Sequence, residues 1–345
     1  MVNRQILIVN RIMKAAAVMV AAMLLVSCST PVKIHSEDFF SMDTYMRLTV
    51  YGDNSEAKAR EAREIILRCE ALYSATVTDS EVCKLNREGE LTNPSEGLVR
   101  MLERAGELSE MSGGRYDLTV MPLMRLWGFA GDGENRVPGN EEIDGALSLV
   151  GMDNIRIEDG RVMLEDGCEI DLGSCAKGYA GNEAAKYLKS IGVRCAILTL
   201  GGNVQTVGRK PDGTDFVIGI ADPFDTTSVL GTLEVGECAI VTSGTYQRNF
   251  TADGRTYSHL IDATTGRPCE SGLVSVTVIC ADGMTADMLS TVFMLTGLEL
   301  LESMYSENGG FEAVAVSENG TVSVTTGIRE SFFPDDSVEN VVFLK

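Results

Sequence analysis

A carboxylate and a lysine bracket one short turn in this 345-residue chain: Asp171-Leu172-Gly173-Ser174-Cys175-Ala176-Lys177-Gly178-Tyr179-Ala180. The segment reads as a strand end, a turn of small residues and a helix start. Such a turn leaves backbone N–H and C=O groups uncovered, and the helix N-terminus beside it favours anions. Asp171 can bind a ligand donor or the shell of a metal ion, and Lys177 can neutralise a phosphate. The alternative is a plain strand-to-helix connection with Lys177 in solvent. Gly178 counts against it, because a glycine inside a helix costs about 1 kcal/mol relative to alanine and marks close approach by another group.

A second acidic helix start follows at Thr285-Ala286-Asp287. Asp287, Ser290 and Thr291 stand at i, i+3 and i+4, on one helical face. A carboxylate with two hydroxyls offers hard oxygens of the kind Mg²⁺ or Ca²⁺ takes, with backbone carbonyls, water or ligand phosphate completing the shell. The alternative is a first-turn acid stabilised by the helix dipole behind an N-cap at Thr285.

His259, in Tyr257-Ser258-His259-Leu260-Ile261-Asp262, is one of two histidines; the other, His35, lies near the N-terminus. Proton transfer by an imidazole in the folded body therefore falls to His259, the alternative being a structural ring. Gly113-Gly114-Arg115-Tyr116-Asp117-Leu118-Thr119 is a loop entering an extended segment. Its Asp117 and Thr119 either hydrogen-bond a ligand or close an Asx-type turn. No cysteine stands in a nucleophile setting, and there is no GxGxxG in a strand–helix setting, no Walker A and no GxSxG.

The elements that must position these groups are legible from periodicity and turn residues. Residues 39–51 alternate as a strand, with Met42, Thr44, Met46, Leu48 and Val50 on one parity. Residues 54–72 read as a helix, and Asn93-Pro94-Ser95-Glu96 as a helix start with Asn at the N-cap and Pro at N1. Residues 155–170 read as a hairpin turning at Asp159-Gly160. A helix over 176–191 leads to a buried strand at 195–200, the turn Gly201-Gly202-Asn203, and a strand at 204–207. Further strands are expected at 216–220, 230–235, 239–242 and 273–279, then helices at 285–295 and 298–305, then strands at 313–316 and 322–325. Strands outnumber helices and often follow one another directly, so the expected class is α+β with largely antiparallel sheet, in one compact body of at most two lobes.

Charge and composition narrow the function. The formal net charge is −21 and no basic stripe is present, which excludes nucleic acid as a partner class. An acidic protein binds a polyphosphate only where local cations receive it, which points again to Lys177 and a divalent metal. Arg4, Arg11 and Lys14 with the apolar run from Ala15 to Val26 form a leader too short to span a membrane comfortably. It ends in Ser27-Cys28, the pattern of a lipoprotein signal. The expected organisation is a signal peptide at 1–27, lipidation at Cys28, a tether at 28–37 and a functional body at 38–345, working at the extracytoplasmic face of a bacterial membrane. The other eight cysteines are irregularly spaced with no CxxC, and are read as mostly buried free thiols.

Taken in order, Met42-Asp43-Thr44-Tyr45, Asp79-Ser80-Glu81-Val82, Gly113 to Thr119, Asp171 to Ala180, Gly201-Gly202-Asn203, Thr242-Ser243-Gly244, Tyr257 to Pro268 and Thr285 to Thr291 resemble the ApbE family of flavin transferases. The resemblance covers residues 40–299. It implies an ApbE, T-fold-like α+β body with largely antiparallel sheets and packed helices. It also implies an enzyme that moves FMN from FAD onto a Thr or Ser hydroxyl of acceptor domains in membrane redox complexes, releases AMP, and depends on Mg²⁺. By the same resemblance the metal ligands are Asp287, Thr291, Ser290 and the carbonyl of Ser174, with Ser290 standing where some members have Asp. The FAD-binding positions are Met42, Asp117, Leu118, Thr119, Asp171, Lys177 and Ile261. Lys177 and the metal balance phosphate charge, and His259 or a metal-linked carboxylate takes the hydroxyl proton. Thr76 replaces an aromatic residue that some members stack on the flavin. The other readings are an FAD-binding lipoprotein and a pyrophosphatase giving FMN and AMP.

Overall fold

The structure is a computed structural model that describes residues 32–131 and 133–345. The expected signal peptide at 1–27 and the lipidation site Cys28 lie outside the described residues. Strand β1 (Ile34–Ser41) pairs antiparallel with β2 (Thr44–Tyr51) down to Ser41 opposite Thr44. Two expectations are corrected here. Residues 34–37 are strand, not tether, and the run 39–51 is two strands, not one. Met42 and Asp43 form the turn, with φ of 47° and 57°, the left-handed pair that a tight hairpin turn demands. The sequence hides the turn because neither residue is glycine or asparagine.

Seven more strands extend this hairpin: β3 (Cys195–Leu200), β4 (Asn203–Gly208), β5 (Ala239–Gly244), β6 (Leu273–Cys280), β7 (Phe311–Ser317), β8 (Val322–Thr325) and β9 (Val341–Leu344). They lie side by side in chain order as one nine-stranded sheet. All neighbours are antiparallel except β8 and β9, which run parallel.

Helices α1 (Ser55–Tyr73), α2 (Glu96–Met111) and α3 (Ala176–Ser190) enter between β2 and β3, and α4 (Gly283–Thr296) follows β6. They cover one face of the sheet, where Met46, Leu48, Leu198, Val278, Val292 and Phe293 share a core. On the other face Ile240, Ile279, Val314 and Val316 pack against Phe216, Leu233 and Phe332 of a small three-stranded sheet. Burial on both faces explains why the central strands read as unbroken apolar runs and not as alternation. A third cluster gathers around Trp127 and Phe129. The class is α+β as expected, and residues 34–345 form one compact unit.

Helix α4 is buried at eleven of its fourteen residues, as expected for a helix that is apolar on nearly every side. It starts two residues before the expected point. Asp282 is the N-cap, its Oδ1 accepting from the N–H and hydroxyl of Thr285 at 2.9 Å each. Arg100 and Asn182 also donate to Asp282, and the Asn182 carbonyl oxygen accepts from the Gly283 N–H. Similarly, α2 is capped by Ser95, not Asn93. The Asp159-Gly160 hairpin forms as expected. All eight cysteines from Cys69 to Cys280 are free, and five of them are buried.

Candidate active site

The turn at Met42–Asp43, the end of α1, the segment at 116–117, the Asp171–Lys177 turn, the β3–β4 turn and residues 259–261 enclose a cavity of about 700 Å³. That is the size of a small-molecule site.

The Asp171 turn is built from its own backbone. Gly173 N–H donates to Asp171 Oδ1 at 3.0 Å, and the N–H groups of Cys175 and Ala176 both donate to the Leu172 carbonyl. Lys177 Nζ donates to the Gly173 carbonyl at 2.9 Å, which holds the cation over the turn. Gly178 N–H is one of the first-turn donors that a helix leaves without an internal partner. It donates to Oδ2 of Asp287 at 2.8 Å. A Cβ on Gly178 would meet the Gly283 carbonyl oxygen at 2.1 Å and Asp287 Cβ at 2.7 Å. This first-turn glycine therefore marks the contact of α3 with α4.

Asp287 is 4% exposed and sits beyond the first turn of α4. The dipole-and-cap alternative therefore fails, since Asp282 does the capping. Burial raises the Asp287 carboxyl above its ordinary range, while Lys177, the Gly178 N–H and Asn203 favour its charge. Thr291 and Ser174 line the same cavity. Ser174 Oγ is 3.0 Å from the Tyr116 hydroxyl. Ser290 does not line the cavity. Its hydroxyl donates to the Asp287 carbonyl at 2.8 Å and lies 2.7 Å from Ser243 Oγ. Ser290 braces the helix under Asp287 and is not placed as a ligand. Among the described residues, no group of three or more His, Cys, Asp or Glu side chains is set to hold a metal. A cation here would meet one carboxylate and neutral oxygens, which suits a hard ion that keeps several outside ligands.

His259 also lines the cavity. Its Nδ1 lies 3.1 Å from the Arg248 carbonyl. A carbonyl only accepts, so Nδ1 carries the proton and Nε2 keeps its lone pair. Burial, then the Arg248 and Lys177 cations, depress this imidazole to about 4. At neutral pH it is an uncharged base, not a positive structural partner.

The other expected positions divide. Met42, Asp117, Asp171 and Ile261 line the cavity, as does Thr76. Burial raises both the Asp117 and Asp171 carboxyls. Leu118 and Thr119 do not line it. Leu118 is in the core and its carbonyl accepts from the Asp171 N–H. The Thr119 N–H and hydroxyl both donate to Asp117 Oδ1, and its oxygen accepts from the Gly151 N–H. The Asx-type turn, the alternative reading of this loop, is thus present, with Thr119 orienting Asp117.

Glu70, Arg248 and Asn203 are among the lining residues to which the sequence assigned no site role. Glu70 of α1 accepts from Ser41 Oγ at 2.7 Å and Met42 N–H at 2.8 Å, pinning the strained turn. In sequence it is one more glutamate on a charged helix, without a signal. Arg248 lies in an irregular stretch between strands. Asn203 follows Gly201-Gly202 at the start of a buried strand, and a polar residue in that place was the available signal.

Comparisons with known proteins point to one family. The model of the ApbE family matches residues 42–315. The FAD:protein FMN transferase of Klebsiella pneumoniae (strain 342) is 29% identical over 318 residues, covering 90% of this chain and 98% of that protein. That of Vibrio cholerae is 37% identical over 227 residues, 64% of this chain and 68% of that protein. Among solved structures, the ApbE protein of Thermotoga maritima superposes with a TM-score of 0.80 at 32% identity, covering 86% of this chain and 98% of that one. The flavin transferase ApbE of Vibrio cholerae gives 0.75 at 27% identity, covering 89% and 99%.

Proposed function

The chain belongs to the ApbE family, and from that premise we propose how its cavity works as that of an FAD:protein FMN transferase. The observation that carries the proposal is the junction of α3 and α4. There Asp287, Lys177 and the Ser174 turn meet at one cavity that also holds the uncharged His259.

FAD enters as substrate. A Thr or Ser hydroxyl of the acceptor attacks the FMN-side phosphorus, forming a new O–P bond. The bond to the AMP phosphate breaks and AMP leaves with the electron pair. His259 Nε2 receives the hydroxyl proton. Lys177, fixed over the turn by the Gly173 carbonyl, balances charge on the non-bridging oxygens. Transfers of this kind depend chiefly on positioning and electrostatics. Asp287, Thr291 and the Ser174 carbonyl would hold Mg²⁺, and the hard-oxygen donor set supports that choice. When bound, the ion supplies positive charge to the pyrophosphate oxygens. Met42, Asp117, Asp171 and Ile261 bind and orient FAD, with Glu70 and Thr119 fixing two of them in place.

The same proposal places the enzyme at the extracytoplasmic membrane face through a lipid on Cys28. Such an anchor would raise its effective concentration near membrane-bound acceptors. Chromatography of products from FAD and Mg²⁺, with and without an acceptor domain, tests the reaction. AMP that appears only with acceptor supports transfer. Equal FMN and AMP without acceptor would make it a pyrophosphatase, and FAD bound but unchanged would make it a carrier.

A further inference from the structure

Asn203 opens β4 and is 0% exposed. Both polar atoms of its side chain, Nδ2 and Oδ1, are buried without a hydrogen-bond partner. Among the described residues with such atoms (Arg63, Asn203, Asp215 and Ser258), it alone lines the 700 Å³ cavity. Leaving a buried amide unpaired is costly, and native proteins rarely do so without a reason.

The fold fixes this amide in place. The Gly201-Gly202 turn sets the register, with Asn203 opposite Leu200 on one side and Val241 on the other. Gly201 has a φ of 66° and packs against Thr44, where a Cβ would meet the hydroxyl oxygen at 2.6 Å. Side chains two apart on a strand share a face. Gln205, two residues on, donates to the Gly178 carbonyl at 3.1 Å. Asn203 therefore points at the same α3–α4 junction, where it favours the charged form of Asp287.

Resting on the transferase reading, we propose that Asn203 is a binding residue for the cation–pyrophosphate assembly. Its Oδ1 accepts from water on the divalent cation, and its Nδ2 donates to a phosphate oxygen. The carboxamide lies beside the Asp287 carboxylate and favours its charge, yet neither of its polar atoms closes a hydrogen bond of good geometry among the described residues. The cation and the pyrophosphate together supply a partner for each of the two functions.

The test is Mn²⁺ titration followed by electron paramagnetic resonance, with and without FAD, alongside thermal unfolding of the metal-free protein. Asn203→Leu keeps the volume and removes both functions. It is expected to weaken Mn²⁺ binding in the presence of FAD by about tenfold or more, as loss of an outer partner of a metal site does. Its metal-free melting temperature is expected to equal or exceed that of the wild type. Asn203→Asp keeps the acceptor and loses the donor. It is expected to bind Mn²⁺ without FAD as well as the wild type does, but to lose the mutual strengthening of Mn²⁺ and FAD. Wild-type affinities in both variants would overturn the inference. So would a lower melting temperature with unchanged affinities, which is the mark of a purely structural amide. If the wild type binds FAD and Mn²⁺ independently of each other, the cation–pyrophosphate reading itself fails, and this inference with it.

Discussion

The carboxylate of Asp287 accepts the backbone N–H of Gly178 at 2.8 Å. One hydrogen bond thus ties the first turn of α3, which carries Lys177 and follows Ser174, to the helix that carries Thr291. Neither helix could shift without separating the groups assigned to the pyrophosphate. The bond explains an acid inside a core, and the close approach of the two helices there, which leaves no room for a Cβ, explains Gly178.

Gly178→Ala places a methyl group against the Gly283 carbonyl and Asp287 Cβ, both fixed atoms. Overpacking of this kind costs about 1–3 kcal/mol, set against a helix-propensity gain of about 1 kcal/mol. The expected outcome is a modest drop in denaturation midpoint with a large loss of Mg²⁺-dependent flavin binding. Urea unfolding and flavin fluorescence titration measure the two. A more stable protein with normal binding would show that the helices do not need this contact.

Asp287→Asn keeps an oxygen to accept from Gly178 and removes a buried charge. The folded-state carboxyl is raised by burial, so ionising it opposes folding. Its favourable contribution is present below the ordinary carboxylate range and lost as pH rises through the raised value. The variant is therefore expected to be at least as stable as the wild type at neutral pH, with the difference shrinking in acid. Its transfer rate is expected to fall by about 10²–10³-fold, on the scale of removing a major electrostatic group. Denaturation midpoints across pH, with product assays, check both halves.

His259 is depressed to about 4 by burial and neighbouring cations. Stability linked to its neutral form is lost as pH falls from the usual histidine value through about 4. In a His35→Gln background His259 is the sole histidine of the native sequence. Its proton resonance is expected to titrate near 4 in the free protein and to show no step near 6.5. A midpoint near 6.5 would mean that the ring is solvated. His259→Ala is expected to slow transfer by about 10²–10⁴-fold with a smaller effect on FAD affinity.

Glu70→Ala removes the acceptor for Ser41 Oγ and the Met42 N–H. Hydrogen bonds to a charged group contribute about 1.5–3 kcal/mol, and left-handed backbone at Met42 needs that support. Stability is expected to fall by about that amount, and FAD affinity with it. Met42→Gly in the same background relaxes the backbone and is expected to recover stability but not affinity. Calorimetry and FAD titration of the single and double variants separate these effects.

Much of the fold was legible because turns and periods were local. The Asp159-Gly160 hairpin, the 195–200 strand and the stop of α2 before Gly113-Gly114 all carry their own signals. The Met42–Asp43 turn did not, since its strained backbone is held by Glu70, a tertiary contact with no trace in local sequence. The start of α4 was misplaced because Thr285 and Asp282 are both good caps, and only the Arg100 and Asn182 contacts select Asp282. In the site, the Asp171 turn, Asp287, Thr291 and His259 were readable from residue type and spacing. Spacing alone put Ser290 beside Asp287 and Thr291 on one helical face. It could not reveal that the Ser290 hydroxyl is spent on the Asp287 carbonyl and Ser243. Likewise Leu118 and Thr119 follow Asp117 in the chain but serve the core and the turn.

The most direct test of the transferase account is the intact mass of an acceptor domain after incubation with the purified protein, FAD and Mg²⁺. The account predicts a gain of one FMN on a single Thr or Ser. The gain should be lost on chelation of Mg²⁺ and in Asp287→Ala, with the variant still folded. An acceptor that gains FMN equally well in Asp287→Ala, or without any divalent cation, would contradict it.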